Sequence, residues 1–93
     1  MGAYDLRFAH KLGAAEACRR VEVELKKLAT EQGLASQNPA ENQYRLFGKG
    51  VDARVSVTDD EVRIALEMSL LVDMLAGTRI RGALQKGLPG VLA

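Results

Sequence analysis

Few side chains in this sequence have the types and spacing that chemistry needs. A lysine between two glycines, Gly48-Lys49-Gly50, invites comparison with a phosphate-binding loop. Such a loop needs a Ser or Thr after the lysine and a helix after the loop, so that backbone N–H groups converge on the phosphate. Here Gly50 follows Lys49, and the next residues, "VDARVSV", alternate as a strand does. The stretch therefore reads as a hairpin turn. His10 is the one histidine, and no spacing gives it an acid partner or a second ligand, so it reads as a surface histidine or one at a helix start. Cys18 falls on an apolar helical stripe and reads as a buried structural thiol, with a Cys18–His10 nucleophilic pair as the competing reading. With one His and one Cys, a transition-metal site would rest on carboxylates alone and is not expected. The carboxylates of "TDDE" (58–61) sit where a hairpin tip belongs. No catalytic residue, metal or cofactor is predicted.

The elements that must position these residues follow from periodicity. "AYDLRFA" (3–9) alternates, with Tyr4, Leu6 and Phe8 on one side. Residues 14–32 place Ala14, Ala17, Cys18, Val21, Leu25, Leu28 and Ala29 on one helical stripe, with Gly33 as a left-handed cap. "ASQNPAEN" (35–42) reads as a polar loop. Three alternating runs follow: Tyr44 and Leu46; Val51, Ala53, Val55 and Val57; Val62, Ile64, Leu66 and Met68. Two-residue turns at Lys49-Gly50 and Asp59-Asp60 oppose Leu46 to Ala53 and Val55 to Ile64, which keeps every apolar residue on one face. That register sets Arg45 against Arg54 on the wet face, with Glu67 expected to relieve the pair diagonally. "SLLVDMLA" (69–76) suits a helical turn, Gly77 interrupts it, and a second helix with Thr78 as its cap is expected to end at Pro89. The expected fold is a single α+β domain over 1–93. It is a two-layer sandwich of order β-α-β-β-β-α, with helices on one face of an antiparallel sheet.

Composition narrows the function classes. The net charge of +1 gives no field to hold nucleic acid, and two Phe, two Tyr and no Trp leave few rings for base stacking. The N-terminal residues carry charge throughout, unlike a signal peptide, and no apolar run reaches a membrane span; with the lone cysteine this suggests a cytoplasmic protein. Apolar residues exceed what the core stripes need. Phe47 falls on the wet face, and Met68, Leu70, Leu71, Met74 and Leu75 crowd several faces of one short segment; these are the candidate contacts for a partner or polymer. Val23 also lies off the main stripe of the first helix.

Three groups of residues together resemble a known bacterial family, the polyhydroxyalkanoic acid (PHA) system or granule region proteins. They are His10, Leu12 and Gly13 before the long helix; Phe47, Gly50, Val51, Asp52 and Val57; and Leu66, Leu70, Leu71, Leu75 and Gly77. The resemblance runs from about residue 8 to 85. It departs at Ala53, where the family has a second glycine, and at Arg81, Gly82 and Gly87, where the family is richer in acidic residues. It implies a non-enzymatic accessory protein of polyester storage, in contact with the PHA granule surface or its coat proteins, and it brings no catalytic residues. The alternative is a small interaction or ligand-binding domain. As an interaction domain it would be a homodimer through the sheet edge or the Phe47 face. As a ligand binder, or as an enzyme, it would have a pocket between sheet and helices, near His10.

Overall fold

The computed structural model describes residues 2–48 and 50–92. Its elements are β1 (Gly2–Ala9), α1 (Ala14–Gln32), β2 (Ala35–Ala40), β3 (Gln43–Gly48), β4 (Val51–Val57), β5 (Glu61–Met68) and α2 (Leu70–Leu92). The strands form one antiparallel sheet in the order β1-β5-β4-β3-β2. Both helices cover one face of it, so the fold class is the α+β sandwich that the periodicities predict. Lys49, expected at the hairpin tip, lies outside the described residues. The registers of the two central hairpins also match: Leu46 faces Ala53, Tyr44 faces Val55, Val57 faces Val62 and Val55 faces Ile64. Along β4 and β5 buried residues alternate strictly with less buried ones, because a one-residue slip would turn each apolar set to water.

Two expectations need correction. The stretch read as a loop, 35–42, contains a fifth strand, β2, so the element order gains one β between α1 and the meander. All six β2 residues are exposed, and no alternation marks them. Pairing to β3 runs from Ala35↔Phe47 to Gln37↔Arg45, then shifts before Ala40↔Gln43. Pro39 is tolerated because a proline at a sheet edge costs no ladder bond. The C-terminal segment is also one helix, not two. Gly77 does not interrupt it and Pro89 does not end it. Its cap is Ser69 rather than Thr78: the Val72 N–H donates to Ser69 Oγ (3.3 Å), and the Asp73 N–H donates to the Ser69 carbonyl (2.8 Å). Pro89 removes one N–H in the penultimate turn, where Gln85, whose carbonyl it frees, is exposed to water.

The core lies between this helical layer and the sheet. Ala17, Val21, Leu25, Leu28 and Ala29 of α1 are buried, as the stripe predicts, and meet Leu46, Val55, Ile64 and Leu66 of the sheet in one cluster with Ile80, Leu84 and Leu88 of α2. Each such Val, Leu or Ile side chain contributes about 1.5–3 kcal/mol. Gly33 takes the left-handed conformation (φ 69°), and the Leu34 N–H returns to the Ala29 carbonyl at 2.8 Å. Where the helices converge, Gly87 of α2 lies against the Glu24 side chain of α1, so a Cβ there would force that carboxylate aside. On the wet face Arg45 does oppose Arg54, but Asp52 rather than Glu67 relieves them. Its carboxylate accepts from Arg45 Nε (3.0 Å) and Nη2 (3.1 Å) and lies 3.7 Å from Arg54, and the bond to Arg45 holds it below the usual carboxylate range.

Two outcomes are expected. Gly50 has φ 74°, and a Cβ there would meet Ser69 Oγ and Val72 Cγ2 at 2.5 and 2.7 Å. Gly50→Ala should cost about 1–3 kcal/mol, a fall of roughly 5–20 °C in the thermal midpoint by calorimetry. An unchanged midpoint would show that the turn repacks freely. Burial, reinforced by Cys18, pushes the Tyr44 hydroxyl up to about 12. A raised tyrosine pKa stabilises the fold below the ordinary value near 10 and loses that contribution as pH climbs through 12. In an alkaline titration of the Tyr4→Phe chain, tyrosinate absorbance should lag until close to pH 12 and rise together with loss of helical circular dichroism. Ionisation near 10 with the fold intact would contradict this.

Candidate functional site: the first turns of α2

α2 begins where the sheet ends. β5 delivers the chain through Met68 and Ser69, and the Ser69 N–H donates to the Gly50 carbonyl at 2.7 Å. The β3–β4 turn thus holds the start of the helix. A second anchor comes from β1. Tyr4 donates its hydroxyl to Asp73 Oδ1 (2.7 Å), which raises the tyrosine pKa, and the Arg81 guanidinium stacks over the Tyr4 ring at 4.4 Å. Asp73, Gly77 and Arg81 are spaced four apart and share one flank of the helix. Gly77 is buried there, and a Cβ would lie 2.5 Å from Asp73 Oδ1. Glycine therefore leaves room for the carboxylate that holds Tyr4. Sequence reading misses this anchor. Alternation puts Tyr4 on the core side of its strand, and Asp73 reads as a break in an apolar run. The four-residue spacing with Gly77 and Arg81 is the available signal.

A helix held at these points turns the face away from the core outward. Leu70, Leu71, Met74 and Leu75 are 62–77% exposed. Val72 and Ala76 point back to the core, so the outward set is not a misplaced core stripe. The six candidate contact residues separate. Met68 is 2% exposed and belongs to the core. Phe47 lies on the other face of the sheet, half-buried, with the Arg45 guanidinium 4.6 Å from its ring centre. Four exposed residues remain together on α2. Among the described residues Val23, on α1, is the other exposed large apolar side chain.

Of the residues carrying the family resemblance, Leu70, Leu71 and Leu75 belong to the exposed set, while His10, Gly13, Gly50, Val51, Asp52 and Gly77 do structural work. His10 is buried rather than at the surface. Its Nδ1 accepts from the Leu12 N–H (3.2 Å), so the proton sits on Nε2 and is donated to the Thr58 carbonyl (2.9 Å). Gly13 starts α1 at φ 79°, and Asp59 of the "TDDE" turn accepts from the Ala14 N–H at 3.0 Å. That turn thus supplies an anionic cap to the helix N-terminus. Gly50, Val51, Asp52 and Gly77 respectively hold α2, fill the core, bridge two arginines and admit Asp73. Cys18 is half-buried rather than enclosed and donates to Asn42 Oδ1 at 3.0 Å, so it is directed to Asn42 and not to His10.

The cavities differ in size and in place. The void among Leu28, Leu34, Leu46, Leu66, Ile80 and Leu84 measures about 10 Å³, the limit for one water. A cleft of about 430 Å³ opens at the sheet end, lined by Ala3, Gly50, Asp52, Glu67 and Ser69 among others, at the opposite end of β1 from His10. Among the described residues no three His, Cys, Asp or Glu side chains are placed to hold a metal ion, and no helix is long and apolar enough to cross a membrane.

Comparison with known proteins adds one finding. No curated protein and no solved structure matches the chain. A family model does match, over residues 5–92, and it spans α1, α2 and nearly all of the sheet described above. The chain belongs to the family described as "Putative polyhydroxyalkanoic acid system protein".

Proposed function

We propose that this protein is a non-enzymatic accessory of polyhydroxyalkanoate storage that attaches to the polyester granule surface through the first turns of α2. The observation that carries the reading is the exposure of Leu70, Leu71, Met74 and Leu75 on a helix start fixed by Ser69–Gly50 and Tyr4–Asp73. Covering each of these side chains with an apolar surface returns about 1.5–3 kcal/mol before ordering costs, enough for four together to hold a small protein on a hydrophobic particle. A polyester chain supplies such a surface, and the family's description, which links the chain to polyhydroxyalkanoate systems, supports the reading. The absence of a catalytic role is supported by the side chains that would serve one. Both ring nitrogens of His10 are committed to backbone groups, and Cys18 is engaged by Asn42.

Sedimentation with polyhydroxyalkanoate granules stripped of their coat proteins tests the reading. The wild-type chain should pellet with the granules. The Leu71→Glu/Leu75→Glu double variant should lose at least about tenfold in apparent affinity while keeping its circular dichroism spectrum. Failure of the wild-type chain to pellet, or pelleting unaffected by the double variant, would overturn it.

A further inference from the structure

The two edges of the sheet are built differently. β2 carries Pro39, a register shift before Ala40, and an Asn38 side chain that donates to the Ala40 and Gln43 carbonyls. Such features discourage another strand from adding there. β1 has none of them. It is eight residues long, contains no proline, and pairs with β5 in unbroken register from Gly2↔Met68 to Ala9↔Glu61.

The hydrogen-bond phase of β1 fixes what its open side presents. The His10 N–H donates to the Asp60 carbonyl at 2.9 Å, continuing the β1–β5 register by one pair. Hydrogen-bonded pairs alternate along an antiparallel ladder. Even-numbered residues of β1 therefore direct their main chain to β5, and Ala3, Asp5, Arg7 and Ala9 direct theirs outward. A second β1 laid antiparallel must pair these odd residues with one another. Centring the pair on Asp5 would set Asp5 against Asp5, and centring it on Arg7 would set Arg7 against Arg7. Centring it on Leu6 sets Asp5 against Arg7 of the second copy, and Arg7 against its Asp5. The same register brings Leu6 onto Leu6, and Tyr4 onto Phe8, along the half-buried apolar face.

We infer that β1 is a self-complementary edge, through which two copies of this chain join into one continuous ten-stranded sheet about a two-fold axis at Leu6. Asp5 can still take part, since its ties within the chain, 3.7 Å to Arg7 and a 3.3 Å hydrogen bond from Arg63, both run to Oδ2, which leaves Oδ1 to meet the second copy. Helical spacing also places Leu70 and Met74 on the flank from which Asp73 and Arg81 reach Tyr4, so a second copy would approach that flank as well. This inference does not rest on granule binding.

Sedimentation velocity on the full chain tests it. The wild type should be a dimer. Asp5→Arg sets like charges against each other twice in the dimer and should raise the dissociation constant roughly tenfold or more. The swap Asp5→Arg/Arg7→Asp should restore dimerisation, because it exchanges the partners of each pair and also sets a carboxylate at position 7 beside Arg63. A wild type that stays monomeric at high concentration would overturn the inference. So would a dimer indifferent to Asp5→Arg, or one not restored by the swap, in variants with unchanged circular dichroism. If Asp5→Arg fails to fold, Leu6→Cys in a Cys18→Ser background decides. The non-hydrogen-bonded pairing of Leu6 with Leu6 suits a disulfide, so oxidation should give a covalent dimer, and its absence would count against the edge.

Discussion

The contact between the β3–β4 turn and the start of α2 is small, but it fixes three things together. The Ser69 N–H reaches the Gly50 carbonyl at 2.7 Å, and Gly50 adopts φ 74° with no space for a Cβ. The turn sets Gly48 opposite Val51, and hence every later pair of β3 with β4. Ser69 then caps α2, which decides where the helix begins and which residues lie in its first turns. Tyr4 and Asp73 fix the helix flank from the sheet's other side. A side chain at Gly50 would push on Ser69 and Val72, so strain in the turn would pass directly to the helix start. Gly50 therefore serves as a clamp between hairpin and helix.

How much of this is legible in the sequence depends on burial. α1, β4 and β5 each bury one face, and a buried face writes its period into the residue types; both central hairpin registers are readable for that reason. β2 buries nothing, so its backbone pairing leaves no hydrophobic trace, and its Pro and Asn mimic a loop. α2 is misdivided for the opposite reason. Gly77 breaks helices in propensity, but here it is buried and its small size is what the Asp73 contact needs, so tertiary packing outweighs a cost of about 1 kcal/mol. The exposed apolar turn is half legible. Its residues are visible as a surplus, but only the register of β5 shows that Met68 ends in the core while Leu70 and Leu71 emerge beyond it.

The residues that identify the family are mostly not the ones left free to act. His10, Gly13, Gly50, Val51, Asp52 and Gly77 close turns, start helices, fill the core or balance charge. Leu70, Leu71 and Leu75 are the exception: they carry the resemblance as well, yet they stand exposed at the start of α2, ahead of Thr78 and Arg79, with Lys86 further along.

The two proposed surfaces also bear on each other geometrically. A two-fold axis through an antiparallel strand pair stands perpendicular to the sheet, so the core face of one copy continues into the core face of the next. Both α2 helices would then lie on the same side of the joined sheet. Leu71 and Leu75 point away from that sheet, since Val72, Ala76 and Ile80 point into it. Two exposed turns facing one way can engage one flat or gently curved particle together, and the second contact forms at the high effective concentration set by the first. An apolar patch on a chain of 93 residues would hold more tightly when doubled in this way, without enlarging the patch on either copy.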